Sequence, residues 1–271
     1  IKQNLEIYLT ENATAAAQIV NQVLINKRSR EETDKQRSVI KTKLTGTMDV
    51  SNRVEKFIPC SSKDANLREV YIVEGDSAKG PYLSTRNKEL QAILPLRGKI
   101  LNVTGKSIKE AVQNSEICDI ANSLGCGIGS SCDASKSRYE RVIISADADP
   151  DGLQINCLVL SVFINLFPDM VKQGRVFVSM PPLYCWGDSA KNYGWCNKIE
   201  EVPKNVKEVH RFKGLGEMNE PELEYFLVNP ETRNLMQITY PSDVEEFNKI
   251  LGTSQGKNDL FKELGIVVKG E

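Results

Sequence analysis

The chain has 271 residues, 40% of them hydrophobic, enough to bury one large core or two smaller ones. Its 35 Lys and Arg nearly balance 36 Asp and Glu, so net charge argues neither for nor against a nucleic-acid partner until its distribution is read. No apolar run approaches the roughly 20 residues of a membrane span, and nothing at the start resembles a secretory signal.

The chain begins at Ile1, not Met, and reads as a fragment or processed piece. From Glu11 to about Leu44 the composition predicts one long helix, with Ala16, Ile19, Val20, Val23 and Leu24 as its apolar stripe. Lys27, Arg28, Arg30, Lys35, Arg37, Lys41 and Lys43 make this stretch basic, which a solvated helix face explains as well as a ligand does. Gly46 to Asn66 then has the Gly, Pro, Ser, Asp and Asn content of a linker.

A new domain is expected after it. Glu69–Val73 is a β-branched and aromatic strand that runs into Glu74-Gly75, placing a carboxylate at a strand's carboxyl end beside a residue that lets the backbone turn. The apolar segment from Gln91 leads into Arg97-Gly98-Lys99, where basic residues flanking a glycine suit either a phosphate backbone or an ordinary turn. Ile108–Leu124 reads as helix. Gly125–Gly129 lacks the strand and helix that a dinucleotide fingerprint needs, and reads as a loop.

Arg141–Ile144 is a second buried strand, and Leu153–Phe167 a helix; between them lies Asp147-Ala-Asp149-Pro-Asp151-Gly152. In an extended loop alternate residues point one way, so the three carboxylates would aim at one point. A solvated acidic turn is one reading and a hard divalent cation the other, and the loop alone does not decide. Glu74 would join it if the two strands were neighbours, since ligands of open α/β sheets gather at the carboxyl ends of strands. Arg175–Met180 is a further strand, implying a parallel crossover. Trp186–Pro203 reads as an insertion or hairpin that leaves the sheet, and Arg211 onward as mostly helical.

The seven cysteines are odd in number and include no Cys-x-x-Cys pair, which disfavours zinc and a disulfide framework and fits free thiols in a reducing cytosol. His210 is the single histidine and reads as incidental.

Glu74-Gly-Asp-Ser-Ala together with Asp147-x-Asp149-x-Asp151-Gly152 resembles the toprim metal-binding domain of topoisomerases, primases and some nucleases. Pro95–Val103, Pro181–Tyr184 and Arg211–Asn219 narrow the resemblance to the large, B-type subunit of type IIA DNA topoisomerases, in the wording of a T-even bacteriophage enzyme. Two departures stand out: Leu153-Gln154 replaces the Ser-His usual in bacterial members, and the segment from Tyr184 to Arg211 is short.

The resemblance implies an α/β, Rossmann-like toprim domain with a mostly parallel sheet flanked by helices. Its expected divisions are 1–50 as the end of a transducer domain with its linker helix, 51–190 as the toprim domain, and 191–271 as a short insertion and mostly helical tail. It implies one or two Mg²⁺ ions on Glu74, Asp147, Asp149 and Asp151. It further implies DNA contacts from Arg97, Lys99, Asn102 and Lys213, with Glu74, Lys99 and Lys213 acting in catalysis. The expected partners are double-stranded DNA, a tyrosine-bearing subunit and an upstream domain that uses ATP; no membrane is implied, and the location is cytoplasmic, in a host bacterium if phage-encoded. An autonomous toprim nuclease or primase, and a noncatalytic DNA-binding scaffold, are the competing readings.

Overall fold

The computed structural model describes residues 54–187, 193–212 and 214–252, and near the amino terminus residues 12, 14, 16, 17, 19 and 21–27; for residues 76–78 it describes the backbone alone. The chain divides into two compact units, 1–46 and 47–271. In the first, residues 14, 16, 17, 19 and 21–27 are helical, within the expected long helix, and Ile19, Val23 and Leu24 of its apolar stripe are exposed. Val20 and the basic residues beyond Lys27 lie outside the described residues.

The second unit is built on a five-stranded sheet. Strand β1 (Glu69–Glu74) is followed by α1 (Gly75–Thr85) and β2 (Gln91–Leu96), then by α2 (Ser115–Leu124), β3 (Arg141–Ser145), α3 (Pro150–Leu166) and β4 (Val176–Ser179). The spatial order is β2-β1-β3-β4, all parallel. Val70–Val73 and Val142–Ile144 are buried throughout, as strands covered on both faces must be. Pro95 is tolerated because β2 lies at an edge, where a ladder donor can be missing.

A second sheet, order β6-β5-β7, is antiparallel and small: β5 (Tyr184–Trp186), β6 (Gly194–Cys196) and β7 (His210–Arg211). The described residues of the Trp186–Pro203 stretch do leave the main sheet, as expected. One buried cluster joins the two layers, running from Tyr71, Tyr82 and Ile143 to Cys185, Leu215 and Phe226. Fully burying an aromatic such as Tyr71 or Tyr82 contributes roughly 1.5–3 kcal/mol. The Tyr71 hydroxyl donates to the Leu227 carbonyl at 2.9 Å, tying the carboxyl-terminal segment to the centre of the sheet.

Two expectations are corrected. The linker reading fails from Val54 onward: Val54 and Phe57 are buried, and Ile58 bridges Ile93 antiparallel, covering the edge of β2. The single helix over 108–124 is two helices, because the Asn114 side chain accepts the Ile117 N–H and caps a new start after Ile108–Ala111 has ended. The regular structure of the described tail is mostly helical, as expected, and also contains β8 (Leu235–Gln237), paired antiparallel with β4 and completing the sheet before α4 (Val244–Leu251). Three residues give no periodicity to read, and only the neighbouring β4 makes them a strand. Among the described residues no helix is long and apolar enough to cross a membrane.

Candidate functional site

Strand order decides where a ligand can sit. The chain passes from β1 to β2 on one side, then returns to place β3 on the other, so a crevice opens at the carboxyl ends of β1 and β3. Register makes the ends level, with Val73 opposite Ser145, and Glu74 therefore stands beside the Asp147 loop. The Asp147 N–H donates to Glu74 Oε2 at 3.2 Å, so the two stretches singled out in the sequence meet.

The local folding follows from a few residues. Gly75 turns the chain out of β1 with φ of 70°, a conformation disfavoured for any side chain. Asp149 caps α3, accepting the Gly152 N–H at 2.7 Å, and Pro150 takes the first helical position, where its missing donor is harmless. Gly152 is held by contact: a Cβ there would lie 2.1 Å from the Asp147 carbonyl oxygen. Beneath the loop, Ser145 Oγ lies 2.6 Å from the Tyr82 hydroxyl and accepts from Ser179 Oγ at 2.6 Å, which locks α1, β3 and β4 together.

The extended alternation expected of the three aspartates stops at Asp149. Because Pro150 starts the helix, Asp151 is already helical, 72% exposed, and paired with Lys99 Nζ at 2.9 Å. Asp147 Oδ1 accepts the Leu215 N–H at 2.8 Å, and Gly214 packs against the same carboxylate. That contact was missed in the sequence, where Gly214-Leu215-Gly216 served only to mark a resemblance; a glycine on each side of an apolar residue was the available signal for a close approach. No three of Glu74, Asp147, Asp149 and Asp151 bring oxygens within 4.8 Å of one another, consistent with like charges each drawn to a separate partner.

Electrostatics at this edge are unfavourable. Burial pushes the Glu74 carboxyl up, its hydrogen bond from Asp147 opposes this, and the charges of Asp147, Asp149 and Asp151 push it up further, so the net shift is upward. A cation relieves such crowding. The donors are hard oxygens from two strand ends in a half-buried crevice, the chemistry taken by Mg²⁺, which keeps several waters and needs only one or two carboxylates.

Arg97 and Lys99 are exposed on the turn after β2, with Gly98 between them. The amide of Asn102, expected to contact DNA, is engaged within the fold: Nδ2 donates to the Leu251 carbonyl at 2.7 Å and Oδ1 accepts from Thr104 N–H at 3.0 Å. Lys213 lies outside the described residues. A cavity of about 550 Å³ opens at the opposite, amino-terminal end of the strands, between Glu69, Gln91, Arg86 and Arg141, away from this chemistry.

Residues 69–181, from the first residue of β1 to just past β4, match the family model described as Toprim domain, and residues 204–259 match DNA gyrase B subunit, carboxyl terminus. The chain is 38% identical over 246 residues to the DNA gyrase B subunit of Clostridium acetobutylicum, covering 88% of this chain and 38% of that protein. With the DNA gyrase B subunit of Halalkalibacterium halodurans the identity is 37% over 277 residues, 97% of this chain and 42% of the relative. With that of Archaeoglobus fulgidus it is 35% over 262 residues, 93% and 40%. The chain thus spans about two-fifths of the length of the curated relatives it matches.

Proposed function

From a toprim domain followed by a gyrase-B-type carboxyl-terminal region, in a chain homologous to the DNA gyrase B subunit, we propose that this is the metal-binding cleavage and religation part of a type II DNA topoisomerase. In this reading it acts on double-stranded DNA with a partner subunit whose tyrosine attacks a phosphodiester, forming a 5′-phosphotyrosyl link that the 3′-hydroxyl later reverses. The observation that carries the reading is the meeting of Glu74 with the Asp147 loop at the switch point of the sheet. The short Tyr184–Arg211 segment and Leu153-Gln154 favour the T-even phage type of this subunit.

Glu74 and Asp147 would hold Mg²⁺, with Asp149 facing the same crevice and Asp151 at its rim. When bound, the ion supplies stabilisation of charge developing on the phosphate and on the leaving 3′-oxygen. Leu215 N–H holds Asp147 in place, and Glu74 carries the proton between the 3′-oxygen and solvent. Arg97, Lys99 and Lys213 position the DNA backbone without reading sequence, while Asn102, its amide engaged within the fold, braces the loop that carries Arg97 and Lys99. Lys99 would exchange Asp151 for a phosphate. Strand passage would draw on an ATP-using domain outside this segment.

Supercoiled plasmid, Mg²⁺ and the tyrosine-bearing subunit test this directly. Cleavage is expected only when chain and partner are mixed, and it is lost with Asp149→Ala. Robust cleavage by the chain alone would favour an autonomous toprim nuclease, and unchanged cleavage by Asp149→Ala would favour a noncatalytic scaffold.

A further inference from the structure

The single histidine does not stand alone in the fold. Cys185 on β5 and His210 on β7 are direct cross-strand partners, so their side chains share a face of the small sheet. Glu222, from the short helix Glu220–Leu223, lies over them, and one donor atom from each of the three falls within 4.8 Å of the others. Glu222 is 2% exposed, yet neither of these neighbours is a fixed cation. Its Oε2 accepts the Asn219 N–H at 2.9 Å, and Oε1 faces both His210 Nδ1 at 2.9 Å and Cys185 Sγ at 3.8 Å. A buried carboxylate aimed at a thiol and an imidazole is a ligand arrangement with an unmet need for positive charge.

We propose that Cys185, His210 and Glu222 form a zinc site, separate from the acidic site at Glu74 and Asp147. Thiolate, imidazole and carboxylate together suit Zn²⁺, and Mg²⁺ would not choose the sulfur. Tetrahedral zinc with ordinary bond lengths separates its donors by about 3.4–3.6 Å, between the 2.9 and 3.8 Å that Glu222 Oε1 makes with His210 and Cys185, and the third spacing lies within 4.8 Å, so the site closes by side-chain adjustment. His210 is 52% exposed, which leaves the fourth position to water. Burial and then the Glu222 charge push the Cys185 thiol up to about 12, so it enters as S–H: binding releases that proton to solvent, and any proton shared by Nδ1 and Oε1 moves to Nε2.

The site has a consequence for the acidic loop. His210 and Glu222 bracket the segment whose Gly214 and Leu215 touch Asp147, so a bound ion would clip both ends of that segment. Titrating the full chain with Co²⁺ in place of Zn²⁺ tests the proposal. One equivalent should give a thiolate-to-cobalt absorption band that Zn²⁺ abolishes. Cys185→Ser should remove the band, and His210→Gln, at an exposed position that leaves folding intact, should weaken binding by more than about tenfold. Cys132→Ser should leave it unchanged. Absence of the band, its persistence at full affinity in His210→Gln, or its loss in Cys132→Ser would overturn the assignment.

Discussion

Glu69 and Glu74 stand at opposite ends of β1, and their surroundings differ in sign. Around Glu69 are Arg233, Arg141 and Gln91, with Arg233 Nη2 on Glu69 Oε1 at 2.5 Å, in a pair that is almost wholly buried. Around Glu74 are Asp147, Asp149 and Asp151. Burial alone would raise both carboxyls; at Glu69 the Arg233 hydrogen bond and charge, with Gln91 and Arg141, overcome it and the net shift is downward, whereas at Glu74 the neighbours add to it. One strand thus ends in a satisfied structural network below and an unsatisfied, crowded edge above. Groups that cost stability where they stand mark the end where chemistry is expected.

The largest way to break the contrast is at the lower end. Arg233→Met strands Glu69 in the interior and should cost about 3–5 kcal/mol in urea unfolding. At the upper end Glu74→Gln should leave stability equal or higher in the absence of metal, yet lower partner-dependent cleavage by about 100-fold, since a metal's charge stabilisation amounts to several kcal/mol. A loss of stability from Glu74→Gln comparable to Arg233→Met would erase the distinction between the ends.

The same contrast was half legible in the sequence. The acidic loop, the strand before it and Glu74 could be read because β-branched runs and Asp clusters are local signals. The partners of Glu69 could not, because Arg233 lies 164 residues away and arrives only through β8 and the segment before it, which carry no period of their own. The Leu215 contact on Asp147 and the Cys185–His210–Glu222 cluster are likewise products of long-range packing, and counting one histidine and no Cys-x-x-Cys pair pointed away from the second.

Acid titration sharpens the comparison. Glu69 has its pKa depressed, so its contribution is present above the ordinary carboxylate value near pH ~4.3 and is lost as pH falls through the folded value. Glu74 has its pKa raised, so its ionisation weakens the metal-free fold as pH climbs from that ordinary value through the folded one. Chemical denaturation followed against pH should show Glu69→Gln flattening the acid limb and Glu74→Gln flattening the opposing slope. The smallest effect is expected at Lys99→Ala: its exposed pair with Asp151 is worth at most about 1 kcal/mol, but DNA binding should weaken and its salt slope fall by about 1.

The central claim is that Glu74 and Asp147 hold a divalent cation while Glu69 does not. Thermal unfolding of the full chain across a Mn²⁺ titration measures this most directly, since an ion bound only by the folded state raises Tm with concentration. The account predicts a rise that Asp147→Asn abolishes and Glu69→Gln preserves. A rise that survives Asp147→Asn and Glu74→Gln undiminished would contradict it.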